Sequence, residues 1–193
     1  MKIAVFASGS GSNAEAIIQA TRARSLQAEV ALVICDKQGA KVVERAASYD
    51  IPVYEYIPKN FASKVAYEED IVQQLKENQI DFIVLAGYMR LIGTTLLAAY
   101  EGRIVNIHPS LLPAFAGLDA IGQAFEAGVK VTGVTVHYVD EGMDTGPIIA
   151  QEAVQVEIND TRESLTKKIQ AVEHKLYPET LQAIFSLHKV EGE

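Results

Sequence analysis

Short apolar segments alternate with longer amphipathic ones throughout the first hundred residues. The apolar runs are of strand length and lack polar alternation, which is typical of parallel strands covered on both faces. Right-handed crossovers would place the intervening helices on both faces of the sheet. The pattern predicts strands over residues 2–7, 30–35, 51–55 and 81–86 and helices over residues 13–24, 38–48, 63–78 and 92–99. The first half therefore predicts an α/β fold with a Rossmann-like, mostly parallel twisted sheet.

The second half is predicted to extend this sheet. A fifth strand is expected over residues 103–107, and the composition of residues 131–139 and 147–156 predicts two antiparallel strands. Residues 114–128 mix glycine, alanine and two aromatic residues, and their one regular piece is a helix predicted over residues 120–127. We expect this segment to form a mobile lid.

The last part of the chain carries a signal for the start of a helix. Asp160 and Thr161 each have a side-chain oxygen that can cap a helix. Glu163 can complete a capping box. We therefore predict a long final helix that begins at this point.

Composition sets the class of protein. A chain of 193 residues with 49% hydrophobic residues can bury a substantial core and fits one domain, 1–193. The chain has a single cysteine, Cys35, so it cannot form an intramolecular disulfide. The apolar residues around Cys35 predict that it is buried in a strand. A net charge of −8 argues against nucleic acid as a partner. No apolar run approaches the roughly 18 residues of a membrane span, and the apolar start is too short for a secretory signal, so we expect no membrane association and a cytoplasmic location.

The segment Asn106–Pro113 reads NIHPSLLP and carries the strongest chemical signal. Side chains two apart on a strand point the same way, so Asn106 and His108 share a face. Pro109 lacks an N–H and ends the strand after His108, at the carboxyl edge where open α/β sheets hold ligands. An amide that donates to an oxyanion and an imidazole that moves a proton are what acyl transfer needs. A strand end with chance polar residues is the alternative.

A glycine-rich turn lies between the first predicted strand and the first predicted helix. Residues 8–14 read SGSGSNA, and backbone N–H groups at the start of the helix form an anion site. The turn also satisfies the dinucleotide pattern Gly-x-Gly-x-x-Ala, with Asp36 as a ribose ligand. Hydroxyl and carboxamide side chains crowd the turn, which suits a terminal monophosphate better than a pyrophosphate. We therefore favour phosphate binding, with a structural turn as the alternative.

The loop at residues 140–147 is acidic and flanked by glycine. A proton-carrying imidazole benefits from a carboxylate that orients it, and Asp144 is the candidate. An ordinary solvated loop is one alternative. A metal site is another, although the loop has no His or Cys at ligand spacing and no EF-hand pattern.

The remaining histidines carry weaker signals. His137 lies on a predicted strand and His188 lies near the C-terminus, and we favour structural or solvated roles for both. His174 follows Gln170 and Glu173, which share a helical face and can hydrogen-bond a polar ligand. Plain amphipathic packing is the alternative for that helix.

These motifs occur in an order that resembles the formyltransferase family. The order is the glycine-rich turn, then residues 85–90 (LAGYMR), then Asn106–Pro113, then Asp144-x-Gly146-Pro147. The resemblance covers the whole chain, and the NIHPSLLP block is highly specific to the family. The turn at 11–13 and the Gln170-x-x-Glu173 pair narrow it to the members that formylate glycinamide ribonucleotide with 10-formyltetrahydrofolate.

The resemblance implies roles for individual residues. Catalysis is assigned to Asn106, His108 and Asp144. The ribonucleotide is assigned to residues that hold its phosphate (Gly11, Ser12 and Asn13) and to residues that hold its ribose and glycinamide end (Gln170 and Glu173). The folate is assigned to Met89, Arg90, Leu91, Ile92, Asn106, Val139 and Asp140, with Lys64 at its anionic part.

The resemblance also implies an organisation and a set of partners. Residues 1–100 would be the nucleotide-phosphate-binding half and residues 101–193 the catalytic and folate-binding half. The substrates would be two small molecules, with no metal, ATP or NAD required. The protein would be a monomer or a homodimer.

The chain departs from the family pattern at three places. Many relatives have Pro and a basic residue where this chain has Ala116 and Leu118, which implies a looser lid. Some have Arg where this chain has Lys64, which keeps the charge but loses bidentate geometry.

Four alternative functions stay open. They are a formyltetrahydrofolate hydrolase, a methionyl-tRNA formyltransferase, a nicotinamide-dependent oxidoreductase and a non-catalytic nucleotide-binding module. The length of the chain disfavours the first two.

Overall fold

The protein is built on one mixed sheet of seven strands. The computed structural model describes residues 1–190, with side chains through residue 187. The strands are β1 (Lys2–Ala7), β2 (Glu29–Cys35), β3 (Val53–Glu55), β4 (Phe82–Leu85), β5 (Ile104–His108), β6 (Val131–Tyr138) and β7 (Ile148–Gln155). Their order across the sheet is β3-β2-β1-β4-β5-β6-β7. Neighbours from β3 to β5 pair in parallel, whereas β6 and β7 are antiparallel, so the predicted sheet is confirmed.

Six α-helices cover the sheet in the described part of the chain. They are α1 (Ser12–Arg22), α2 (Lys41–Ser48), α3 (Lys64–Glu77), α4 (Thr94–Ala99), α5 (Ala120–Glu126) and α6 (Arg162–Val190). A 3₁₀ turn at Pro58–Asn60 has no counterpart in the sequence-based assignment. α2 begins later than predicted because Gly39 has φ +66°, which a continuing helix does not allow.

Side chains on the two faces of β1 pack into two separate hydrophobic cores. Ile3 and Val5 pack in the core that contains α1 and α6, whereas Ala4 and Phe6 pack in the core that contains α3 and α4. This alternation is the two-residue period of a strand that is buried on both faces. α6 is tied to the sheet by the buried hydroxyl of Tyr177, which contacts the backbone carbonyls of β4 and β5.

The start of α6 differs from the predicted capping box. The Ser164 backbone N–H donates to Thr161 Oγ1 at 3.1 Å, and the Thr161 N–H donates to Ser164 Oγ at 2.9 Å. Glu163 therefore lies one position too early to complete the box, and it pairs instead with Lys167 one turn later. Asp160 accepts from Ser164 and Lys168, so it supports the cap from outside.

The strand order changes direction between β1 and β4. The chain moves from β1 outward to β3 on one side and then crosses to β4 on the other. Loops that follow two such strands separate at their carboxyl ends and leave a crevice there.

No helix in the described residues is long and apolar enough to span a membrane.

Candidate active site

A cavity of about 470 Å³ opens at the carboxyl ends of β1, β4 and β5. Both halves of the chain contribute to its walls. The sequence-predicted site residues that line it are Asn13, Met89, Arg90, Leu91, Ile92, Asn106, His108, Val139, Asp144 and Glu173. Five other predicted site residues do not line the cavity in the described part of the chain: Gly11, Ser12, Lys64, Asp140 and Gln170. His137, which was not predicted as a site residue, does line it.

His108 lies at the end of β5 between two hydrogen-bond acceptors. It is 6% exposed. Its Nδ1 is 3.4 Å from Asp144 Oδ2, and its Nε2 is 2.9 Å from the carbonyl oxygen of Phe115. Neither oxygen carries a hydrogen, so a ring with hydrogens on both nitrogens satisfies both contacts. A ring in that state can donate a proton or stabilise negative charge.

Asp144 is the carboxylate that the sequence analysis expected beside His108. Burial raises the pKa of Asp144, but a protonated His137 ring, the Gly117 backbone N–H and the charge on His108 lower it, and the net pKa is lowered. The Gly117 N–H donates to Asp144 Oδ2 at 2.8 Å. Asp144 itself has φ +57°, so the turn that carries it holds a non-glycine residue in the left-handed region. The acidic loop thus presents a charged carboxylate to the imidazole.

Asn106 and His137 face each other across β5 and β6. The antiparallel register pairs Asn106 with His137 and His108 with Thr135. Asn106 Nδ2 is 3.2 Å from His137 Nε2 and 3.5 Å from Asp144 Oδ1. Sequence reasoning missed His137 as a site residue. The signal that could have found it is the cross-strand register, which puts every second residue of β6 on the same face as Asn106 and His108.

The glycine-rich turn forms the start of α1. Gly11 has φ +72°, and a Cβ at this position would lie 2.6 Å from Val42 Cβ, so the turn requires glycine. Gly11 is the N-cap residue, and none of the described side chains caps the helix. The first N–H groups of α1 are therefore available to an anion, as the sequence analysis expected of this turn.

Asn13 connects this turn to α6. Its Nδ2 donates to Glu173 Oε2 at 3.1 Å. Burial raises the pKa of Glu173 to about 7, although the Asn13 hydrogen bond acts in the opposite direction. Gln170 lies one turn earlier on the same helix. The Asn13–Glu173 contact therefore joins the start of α1 to α6 at the wall of the cavity that also contains Asn106, His108 and Asp144.

The opposite end of the cavity is formed by the segment after β4. The Met89 backbone N–H donates to Ser8 Oγ at 2.9 Å, which fixes this segment against the turn after β1. Four apolar side chains stand exposed around the opening and form what we call the apolar rim: Met89, Leu91, Leu118 and Met143. This end therefore offers apolar surface to a ligand.

Lys64 and Asp140 support this end without lining it. Lys64 Nζ lies 3.9 Å from Glu68 Oε1, and the buried Glu68 carboxylate accepts from the Gly93 N–H at 2.7 Å. Asp140 Oδ1 accepts from the Gly142 N–H and from Thr145 Oγ1, so it builds the acidic loop. Both side chains are thus engaged in local structure.

The segment predicted as a lid contacts His108 and Asp144. Phe115 and Gly117 contact His108 and Asp144 as described above, and Asp119 pairs with Arg162 at the start of α6. The backbone at Phe115 and Asp119 has positive φ. This segment therefore occupies polar atoms of both His108 and Asp144, and its role as a mobile lid stays a prediction.

Other sequence candidates lie away from these contacts. Asp36 Oδ1 and His174 Nε2 are buried without a hydrogen-bond partner among the described residues. Burial lowers the pKa of His174. Cys35 is buried, as expected of strand core. His188 lies outside the residues whose side chains the structure describes, and no group of three or more metal-ligating side chains occurs in the part that was described.

Known proteins share this sequence and this architecture. Residues 1–181 match the family described as Formyl transferase. Phosphoribosylglycinamide formyltransferase of Bacillus subtilis (strain 168) is 55% identical over 97% of this chain and 96% of its own. The trifunctional purine biosynthetic protein adenosine-3 of Drosophila melanogaster is 45% identical over 93% of this chain and 14% of its own length. The crystal structure of phosphoribosylglycinamide formyltransferase from Bacillus halodurans is 70% identical, covers 96% of each chain and has a TM-score of 0.94.

Proposed function

The chain belongs to the formyl transferase family, and we propose that it transfers the formyl group of 10-formyltetrahydrofolate to the amine of glycinamide ribonucleotide. It is a formyltransferase of purine biosynthesis that acts on small molecules with a folate co-substrate. The observation that carries the proposal is the meeting of Asn106, His108 and Asp144 in one cavity with the Asn13–Glu173 pair.

The two ends of the cavity suit two different substrates. The N–H groups at the start of α1 would hold the ribonucleotide phosphate, and Glu173, with Gln170 beside it, would hold the ribose and the glycinamide end. The apolar wall formed by Met89, Leu91, Ile92 and Val139 would pack against the folate. Arg90 and Lys64 supply positive charge for its anionic part, and Asp140 shapes the slot for its pterin.

The catalytic residues lie where the two substrates would meet. The amine of the ribonucleotide attacks the formyl carbon, and negative charge develops on the formyl oxygen. The Asn106 amide would donate a hydrogen bond to this oxygen, and the His108 Nε2–H would donate a second one when the substrate replaces the carbonyl oxygen of Phe115. Asp144 lies 3.4 Å from His108 and stabilises its positive charge.

Proton transfer completes the reaction. The attacking amine must lose a proton and N10 of the folate must gain one before the C–N10 bond breaks. We assign this transfer to Asp144 acting through a bound water. The formyl group arrives already attached to its leaving nitrogen, so the route requires no metal, ATP or NAD.

A direct assay tests the proposal. Purified protein is mixed with glycinamide ribonucleotide and 10-formyltetrahydrofolate, and the absorbance of the deformylated folate is followed. Release that depends on the nucleotide supports formyl transfer. Release without the nucleotide would indicate a hydrolase, and silence with both substrates would contradict the proposal and direct attention to nicotinamide binding or a non-catalytic nucleotide module.

Organisation and location complete the proposal. We propose one domain over residues 1–193, with the phosphate end mainly in 1–100 and the catalytic residues in 101–193. The two halves share both substrates, because Glu173 lies at the phosphate end and Met89–Ile92 lie at the folate end. A cytoplasmic location, no nucleic-acid or membrane partner, and a monomer or homodimer are the predictions that accompany it.

A further inference from the structure

His137 is a buried polar residue in contact with the catalytic asparagine. It lies on β6 directly opposite Asn106 on β5 and is 2% exposed. A buried imidazole needs partners for both ring nitrogens, because a buried polar group without a hydrogen-bond partner destabilises the fold. The identity of those partners fixes what each nitrogen of His137 can do.

The hydrogen on His137 is fixed by its own strand. Nδ1 lies 2.8 Å from the carbonyl oxygen of Tyr138, and a carbonyl oxygen can only accept, so Nδ1 carries a hydrogen. In the neutral ring Nε2 is then an acceptor. Asp144 Oδ1 lies 3.7 Å from Nε2, beyond hydrogen-bond length, whereas Asn106 Nδ2 lies at 3.2 Å. Nε2 therefore accepts from the Asn106 amide.

We propose that His137 is a positioning residue for the formyl transfer: its Nε2 holds one hydrogen of the Asn106 amide and so directs the other to the formyl oxygen. This inference rests on the proposed function. Asn106 Nδ2 has two hydrogens, and the second is directed toward Asp144 Oδ1 over 3.5 Å, the longer of the two contacts. Substrate can replace that contact while the His137 contact stays in place.

The alternative orientation of the amide explains why this matters. An asparagine amide can turn over, which exchanges its donor nitrogen and its acceptor oxygen. With Oδ1 toward the substrate, Asn106 would repel the developing oxyanion. An acceptor at His137 Nε2 opposes that orientation, because it would face the Asn106 oxygen with no hydrogen between them.

A matched pair of variants isolates the Nε2 contact. His137→Gln can place an acceptor oxygen near the position of Nε2, whereas His137→Asn reaches only the position of Nδ1. We expect His137→Asn to lower kcat by about 10- to 100-fold, part of the 10²- to 10³-fold typical of losing one oxyanion donor. The KM values for both substrates should change by less than about threefold, and His137→Gln should recover most of kcat.

A double-mutant cycle separates positioning from packing. If His137 acts through Asn106, His137→Asn should change kcat by less than about threefold in an Asn106→Ala background. Full multiplication of the two effects, or equal kcat in His137→Gln and His137→Asn, would overturn the proposal. Thermal unfolding of each variant confirms that the proteins compared are folded.

A spectroscopic measurement tests the contact without activity. ¹⁵N NMR of the wild-type enzyme labelled at histidine should show His137 hydrogenated at Nδ1 and bare at Nε2. A hydrogen on Nε2 at pH 8 would contradict the inference. A wild-type enzyme with no nucleotide-dependent release would overturn the proposed function instead, and the NMR result would still decide the His137 contact.

Discussion

The strand-held polar residues of the cavity and its apolar rim are built in opposite ways. His108 and His137 are 6% and 2% exposed and lie on paired strands, so the register of the sheet fixes them. Met89 and Leu118 on the rim are 67% and 73% exposed and lie outside the helices and strands. Reaction chemistry needs atoms held to within about half an ångström, whereas apolar contact tolerates adjustment. The difference teaches that the register of the sheet holds the two histidines in place, whereas the exposed loop residues of the rim can adjust to a bound molecule.

Removal of the catalytic imidazole should give the largest effect. His108→Ala removes the group that lies between Asp144 and Phe115, and we expect kcat to fall by about a thousandfold, the upper end of the range for losing one oxyanion donor. Steady-state kinetics measures kcat, and calorimetry measures nucleotide affinity, which should change by less than about threefold. A variant with near-normal kcat would remove His108 from the mechanism and break the comparison.

Neutralising the carboxylate should have the next largest effect. Asp144→Asn keeps an oxygen for the Gly117 N–H but removes the charge beside His108, so we expect kcat to fall by about a hundredfold. The matched control is Glu141→Gln, an exposed change in the same loop, which should leave kcat within about twofold. Equal kinetics in the two variants would contradict the role of Asp144.

The same pair of variants predicts a pH dependence of stability. The pKa of Asp144 is lowered in the folded state, so its carboxylate stabilises the fold above the unfolded-state pKa, and this stabilisation is lost as pH falls through the lower folded-state pKa. Urea unfolding from pH 2 to pH 6 should therefore show a wild-type advantage over Asp144→Asn that grows with pH. Glu141→Gln should track the wild type throughout.

The strand-held part of the site was only partly predictable from sequence. A two-residue period places Asn106 and His108 together without knowledge of the fold, since both lie on one strand. His137 comes from a different strand, and its place depends on a register set by β6 and by the loop that precedes it. A local sequence pattern does not show which residues of two separate strands lie opposite each other. The sequence analysis therefore assigned His137 a structural or solvated role.

The loops and helix ends show the same limit. A glycine-rich turn before a helix has a local signature, and the positive φ of Gly11 shows that this turn requires glycine, whereas phosphate binding there stays a prediction. The sequence leaves Asp160 and Thr161 open as the cap of α6, and the structure pairs Thr161 with Ser164, so only the predicted capping-box partner Glu163 is wrong. Side chains such as Lys64 follow the same rule, because their direction is set by a partner, here Glu68.

Glu173 tests how strongly burial changes the pKa of a carboxyl group in the cavity and, through it, the stability of the fold. Burial raises its pKa to about 7, so the folded state loses stability as pH rises from about 4.5 to about 7. Glu173→Gln keeps an acceptor for Asn13 and removes the buried charge. We expect it to raise the free energy of unfolding by about 1–3 kcal/mol at pH 8 and by nothing measurable at pH 4. Chemical denaturation at the two pH values measures this.

The matched control for Glu173 lies on the same helix. Glu163 is exposed and pairs with Lys167, so Glu163→Gln should change stability by less than about 0.5 kcal/mol at either pH. We also expect Glu173→Gln to raise the nucleotide KM by about tenfold, because a carboxylate binds ribose hydroxyls more strongly than an amide does. A lower free energy of unfolding for Glu173→Gln than for the wild type at pH 8 would contradict the expected stabilisation. It would show that the Glu173 carboxylate is stabilised by its surroundings more than its burial indicates.

The apolar rim should give the smallest effect. Leu118→Ala shortens an exposed side chain on the lid, so it creates no buried cavity and loses only the surface that the folate would cover. We expect the folate KM to rise by less than about threefold with kcat unchanged, measured in the same assay as the catalytic variants. A large fall in kcat would mean that Leu118 positions the lid segment that contacts His108 and Asp144 through Phe115 and Gly117. The rim would then contribute to the placement of His108 and Asp144, and the contrast between strand-held histidines and an adaptable rim would fail at this segment.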